Sequence, residues 1–183
     1  MIIYGLRHGH AEHNIDNLMN GDPYKSFNLT DLGREQAKKA AEELKKIPFD
    51  VIITSEFPRT IETAKIIINN HSTYLKNDKR LNDIRTGMEG ETSNKYFEEL
   101  KKIAKAKNID IINAKINGGE SFIDEKERIY SFLDDLKEQN HKIVLIVAHY
   151  DTIQIINGYT NNLTNEQMKK NIIENGKIYK FKI

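Results

Sequence analysis

Residues 143–148 read Ile-Val-Leu-Ile-Val-Ala, six apolar positions in a row, most of them β-branched. A strand with one face in water alternates apolar and polar residues, whereas a strand covered on both faces has no need to. This run therefore demands a layer of packed structure on each side of the sheet that holds it. It is also far too short to span a bilayer. Further strand-like runs lie at residues 2–6, 51–54 and 178–181, with a weaker one near 73–76.

Helical patterns separate these runs. Ala37, Ala40, Ala41 and Leu44 share one helical face, and Thr30 precedes them as an N-cap candidate. Ile61, Ala64, Ile67 and Ile68 form a second stripe, with Pro58 suited to the first turn. Ile129, Phe132, Leu133 and Leu136 form a third, opened by Ser121 with Asp124 three residues on, as in a capping box. Strands alternating with helices predict an α/β fold: a three-layer α/β/α sandwich around a mainly parallel, mixed sheet. The stretch after Gly158 is polar and Asn-rich before the last strand, which is expected at the sheet edge. With no repeat or linker to divide them, the 183 residues are read as a single domain, 1–183.

Composition narrows the function. A formal net charge of +1 supplies no electrostatic reason for nucleic acid or a membrane as partner, so any anion must be held by a local basic site. The absence of cysteine excludes thiolate nucleophiles, disulfides and cysteine metal ligands, and suits a reducing compartment. With no signal-like segment at the start, the expected location is the cytoplasm. The chain holds six arginines against 22 lysines, so each arginine asks for a reason. Bidentate contact with phosphate is one such reason, and it draws attention to Arg7 and Arg59.

Parallel α/β sheets bind ligands beyond the carboxyl ends of their strands. Here the first strand runs into Arg7-His8-Gly9, the second into Thr54-Ser55-Glu56 with Arg59 just beyond, and the apolar one into His149. Adjacent central strands would gather two imidazoles and two guanidiniums in one crevice. Phosphoryl transfer gains mainly from positioning and from charge around the equatorial oxygens. A neutral histidine can act as the nucleophile, and a carboxyl group must protonate the leaving oxygen and later help activate water. Arg59 near a helix start would add the positive end of that helix.

These residues resemble the histidine phosphatase superfamily, in particular its phosphoglycerate mutase-like branch. Leu6-Arg7-His8-Gly9 with Asn14 is similar to its L-R-H-G-x-x-x-x-N signature, and Leu29-Thr30 with Gly33, Gln36 and Ala37 to its L-T-x-x-G-x-x-Q-A segment. Ser55, Arg59, Thr63 and Ala64 resemble its S-x-x-x-R-x-x-x-T-A stretch. Leu81-Asn82-Asp83 with Gly87 and Glu89-Gly90 resembles the segment carrying its acid. Gly118-Gly119-Glu120-Ser121 with Arg128, then Val147-Ala148-His149, complete the series in family order.

The resemblance implies that His8 is the phosphorylated nucleophile and that Arg7, Arg59 and His149 hold the phosphoryl oxygens. It places Asn14, Asn20 and Gly21 in a loop lining the substrate pocket and Asp83 at the acid position. The implied activity is a metal-independent phosphomonoester phosphatase acting through a phosphohistidine on small phosphorylated metabolites. Two departures stand out. The family more often has glutamate at the Asp83 position, and Tyr150 follows His149 where glycine is common. Asp151 competes as the acid, and Glu120 reads equally as a structural residue or a substrate contact. His8-x-His10 also resembles a metal-ligand pair, but the phosphate reading already uses His8, so no metal or other cofactor is expected. His10 and His13 are then rim or solvent residues, and His71 and His141 lie on the surface. Two other functions stay open: a cofactor-dependent phosphoglycerate mutase, which retains the phosphohistidine, and a non-enzymatic phosphate-binding regulatory module. Mutases of this resemblance are typically longer, while only a short stretch separates Gly90 from Gly118 here.

Overall fold

The computed structural model describes residues 1–25 and 27–183. In chain order these form β1 (Ile2–Arg7), α1 (Glu12–Ile15), α2 (Asp31–Leu44), β2 (Val51–Thr54), α3 (Pro58–Ile68) and β3 (Leu75–Asn77). There follow α4 (Ser93–Lys107), α5 (Phe122–Lys137), β4 (Ile143–Ala148), α6 (Tyr150–Asn161), α7 (Asn165–Lys169) and β5 (Ile178–Lys182). The sheet order is β3-β2-β4-β1-β5. Every pairing is parallel except that of β5, which runs antiparallel to β1 at the edge. The three-layer α/β arrangement with a mixed sheet is therefore present as expected.

The unbroken apolar run of β4 lies in the centre, and its residues feed two separate cores. Val144, Ile146 and Ala148 pack with Ile3, Val51 and Ile53 against α5 and α6 on one face. Leu145 and Val147 pack with Leu6 and Ile52 against α2 and α3 on the other. Burying a Val, Leu or Ile side chain contributes about 1.5–3 kcal/mol, so a polar residue at any of these positions would forfeit one of the layers. The predicted caps form as well. Thr30 accepts from Gly33 N, Pro58 opens α3, and Ser121 and Asp124 close a reciprocal capping box.

Two long helices lie where the sequence pattern suggested none. Helix α6 carries Thr152, Ile153, Ile155, Ile156 and Gly158, all weak helix formers, and buries five consecutive residues from Thr152 to Ile156. Packing on both α5 and the sheet erases the helical period there. Helix α4 buries only Tyr96, Leu100 and Ala104, a stripe too thin to stand out among lysines and glutamates. The Asn-rich stretch likewise holds the end of α6 and the short α7.

Register brings the strand ends level: Arg7 lies opposite Ala148, and Thr54 opposite Val147. The loop after β1 is then pressed against the start of α2. A Cβ on Gly9 would stand 2.3 Å from Gly33 O, and one on Gly33 would stand 2.0 Å from His10 O. Backbone faces backbone here, and neither side can yield cheaply. Gly33→Ala is expected to cost about 1–3 kcal/mol in urea unfolding, whereas Leu32→Ala, at an exposed position one residue away, is expected to cost under about 0.5 kcal/mol. Equal costs at the two positions would refute the tight contact.

Candidate active site

The last residues of three adjacent strands deliver the site. His8 follows β1, and its backbone N donates to Ala148 O at 3.0 Å, extending the ladder with β4. Its Nδ1 lies 2.7 Å from Gly9 O, an acceptor, so the proton resides on Nδ1 and Nε2 keeps its lone pair. That lone pair faces Arg59, whose Nε donates to it at 3.2 Å.

Arg59, the second residue of α3, has no exposed surface. Its remaining donors reach Asn20 Oδ1 and Asn20 O at 3.2 Å each, Asp83 Oδ2 at 2.7 Å and His149 Nδ1 at 3.1 Å. Its planar face lies 4.2 Å from the Phe57 ring centroid. Burial brings its pKa down to about 10, with Asp83 opposing the fall, so it remains a cation at neutral pH.

His149 caps α6 and is wholly buried. Since Nδ1 accepts from Arg59, the proton lies on Nε2 and is donated to Ser55 Oγ at 2.8 Å. The relay continues from Ser55 Oγ to Thr60 Oγ1 at 2.7 Å and ends at Phe57 O. Both imidazoles are held well below their ordinary pKa, first by burial and then by the charge of Arg59. Each is neutral at physiological pH.

Arg7 closes another side. Its Nη1 donates to Ile173 O at 2.8 Å, its guanidinium lies 5.1 Å from the Tyr150 ring centroid, and its buried Nε has no partner among the described residues. Tyr150 thus lies beside Arg7 and lines the same cleft.

Asp83 reaches this cluster directly, with Oδ2 on Arg59 and 3.4 Å from His149 Nδ1. The backbone around Asn82 is held by Arg128. Arg128 donates from Nη1 to Arg80 O at 2.6 Å and Asn82 O at 2.9 Å. Its other nitrogens grip Glu120 at 3.0 Å twice, and Glu120 in turn accepts from Arg85 N at 3.1 Å. The structure therefore gives Glu120 a positioning role behind Asp83. Burial pushes the Asp83 carboxyl above its ordinary pKa, against the pull of Arg59, and Asp151 adds to the rise. Asp151 lines the same cleft but pairs with Lys169 at 3.1 Å.

The loop residues divide. Asn20 is buried and engaged with Arg59. Asn14 caps α1 through Ala11 N at 2.9 Å while lining the cleft. Gly21 packs onto Ile84 O, where a Cβ would stand 2.3 Å away. His13 lines the cleft and is not a solvent residue. It is 6% exposed, with its ring centroid 5.6 Å from that of His8, because the turn of α1 folds it inward. His71 is also partly buried, against the Phe49 ring. Asn175, in the Asn-rich stretch, donates to His8 O at 3.0 Å, and nothing in its sequence context signals that contact. His10 accepts or donates at Thr30 Oγ1, 3.1 Å from its Nδ1. Among the described residues no group of three or more His, Asp or Glu side chains is placed to hold a metal ion.

The chain matches the family description "Histidine phosphatase superfamily (branch 1)" over residues 3–183. The protein belongs to that superfamily. Superfamily relatives include an adenosylcobalamin/alpha-ribazole phosphatase of Escherichia coli, 27% identical over 158 residues, covering 85% of this chain and 77% of that protein. A 2,3-bisphosphoglycerate-dependent phosphoglycerate mutase of Cytophaga hutchinsonii is 27% identical over 165 residues, covering 85% and 75%. The alpha-ribazole phosphatase of Shigella flexneri superimposes with a TM-score of 0.88 at 25% identity, covering 100% of this chain and 91% of that one.

His13 provides a test of the electrostatics in this superfamily member. Burial, then Arg59 and Arg7, lower its pKa to about 3. The unfolded chain takes up this proton below about pH 6.5, while the folded chain refuses it until about pH 3. Stability attributable to His13 is therefore lost as pH falls through that window. Relative to His13→Gln, the wild type should lose ~1.4 kcal/mol of unfolding free energy per pH unit below about 6.5, and nothing above about 7.5. A difference independent of pH would mean that His13 titrates normally.

Proposed function

We propose that the protein is a metal-independent phosphomonoesterase of small phosphorylated metabolites, working through a phosphohistidine at His8. On this reading residues 1–183 act as one domain, and the cytoplasm is its compartment. The observation that carries the reading is the state of His8: Nδ1–H is tied to Gly9 O, and the unprotonated Nε2 accepts from the buried guanidinium of Arg59, a hydrogen bond that an incoming phosphoryl group takes over. A neutral, oriented nucleophile beside a fixed cation is what in-line attack on a phosphate dianion requires.

In the free protein Asp83 sits on Arg59, where an anionic oxygen is best stabilised. An incoming phosphoryl group takes that place, with Arg7, Asn20 and Asn14 lining its approach. Asp83 is thereby freed from the cation that lowers its pKa and placed beside a dianion, and it takes up a proton. The His8 Nε2 lone pair attacks phosphorus and the P–O ester bond breaks. Its electron pair goes to the leaving oxygen, which receives the Asp83 proton. Water then gives a proton to the Asp83 carboxylate as its oxygen attacks phosphorus. The P–N bond breaks and the pair returns to Nε2. Arg7 and Arg59 supply positive charge and hydrogen bonds to the equatorial oxygens throughout, without a metal, and His149 adds a hydrogen bond once the anion draws its proton to Nδ1 and Ser55 Oγ turns to donate to Nε2.

This assignment predicts a specific dependence on pH and leaving group. His8 must be unprotonated and resists protonation until well below pH 6.5, so activity persists on the acid side. Asp83 must be protonated and is raised above its ordinary value, so kcat/KM for an alkyl phosphate falls as pH rises through that pKa. Asp83→Asn should remove the alkaline limb and slow the alkyl ester about 10²–10⁴-fold, while sparing p-nitrophenyl phosphate, whose phenolate leaves almost unaided. Selective loss in Asp151→Asn, with Asp83→Asn near wild type, would transfer the role of acid to Asp151.

A further inference from the structure

The phosphoryl site opens into a cleft of about 640 Å³ with Arg7, Asn20 and Asp83 on its lining. Arg7, Asn14 and Asn20 lie on this side of Asp83, so the cleft has room for a leaving group beside both the phosphoryl-binding side chains and the acid. Its walls are apolar: Leu18 and Tyr150 join Tyr96, Phe97 and Leu100 of α4, with Ile111 from the turn that follows. Phe97 is 46% exposed and Ile111 36% exposed, so both present apolar surface to the cleft mouth and to solvent. In the segment between β3 and α5 that carries them, Tyr96 and Leu100 fill a small core of their own, and the Phe97 ring lies 5.2 Å from that of Tyr96.

Charge on the cleft points the same way. Besides Arg7, the only lysine or arginine among the described lining residues is Lys169. Its ammonium lies 3.1 Å from Asp151 and 3.9 Å from the Phe122 ring centroid, so its charge is already engaged. With the ester bound, Asp83 holds a proton and Asp151 keeps Lys169 engaged. A second anionic group on the substrate would find no unengaged cation to receive it, a desolvation cost without return. Asn17, Ser93 and Gln154 offer neutral hydrogen-bonding groups instead.

Resting on the phosphomonoesterase reading above, we infer that the preferred esters carry an apolar, ring-bearing leaving group with neutral polar substituents and no second anion. The cleft selects against phosphorylated acids by charge and binds the ring by burial against α4. A second cleft, of about 900 Å³, lies on the other side of Asp83 and carries Lys25, Lys79 and Arg85. It shares Asp83 with the first cleft and includes Gly21, but has none of Arg7, Asn14 or Asn20 on its lining, and the leaving group is therefore assigned to the first.

The test compares kcat/KM for 2-(2-naphthyl)ethyl phosphate with that for 3-phosphoglycerate and phosphoserine, using p-nitrophenyl phosphate to establish turnover. The naphthyl ester should exceed both acids by more than about tenfold, and the double substitution Phe97→Ser, Ile111→Ser should cut that ratio about tenfold, mostly through KM. Both substituted positions are exposed, and a ratio does not depend on the fraction of folded enzyme. Equal or better turnover of either acid, or an unchanged ratio in the double variant, overturns the inference while the phosphatase reading stands. No turnover of any ester, p-nitrophenyl phosphate included, overturns both.

Discussion

A guanidinium without exposed surface must have its charge and its donors satisfied inside the protein, and Arg59 organises the site through that requirement. Its five N–H groups draw together a strand end, a loop, a helix cap and a carboxylate: His8, Asn20, His149 and Asp83. Leaving such a buried cation unpaired typically costs about 3–5 kcal/mol, so the surrounding loops are held in place by the same charge that prepares the site for an anion. Asp83 serves as the resting counter-ion. On the proposed chemistry a phosphoryl group replaces it, and the protein exchanges one buried ion pair for another.

The sheet and its layers were largely legible because their causes are local. An apolar run such as Ile143–Ala148 has few other uses, and Thr30 and Ser121 announce helix starts through backbone hydrogen bonds that depend on a few neighbours. Helix α6 was hidden because burial on several sides removed the polar face that reveals a helix. Helix α4 was hidden because it buries too little.

The site residues were legible as a set of chemical types at strand ends, but their hydrogen-bond geometry was not. Local sequence shows that His8 and His149 are imidazoles at strand ends, the first beside Arg7. Only the fold shows that Gly9 O and Ser55 Oγ dictate which ring nitrogens carry protons. The inward turn of His13 and the contact of Asn175 with His8 O depend on distant segments meeting. Glu120 illustrates the same limit. Its place beside Ser121 signals a cap, yet its work is to grip Arg128 and so hold the backbone that delivers Asp83. Held there, Asp83 contacts Arg59 through Oδ2 at 2.7 Å.

The central claim is that phosphorus becomes bonded to His8 Nε2 during turnover. Rapid quenching of the enzyme with a phosphorus-labelled ester, followed by peptide mapping, addresses it directly. The account predicts an acid-labile, base-stable phosphoryl label on His8 alone, formed at a rate no slower than turnover and absent from His8→Ala. A label on another residue, or undiminished turnover by His8→Ala without any label, would contradict it.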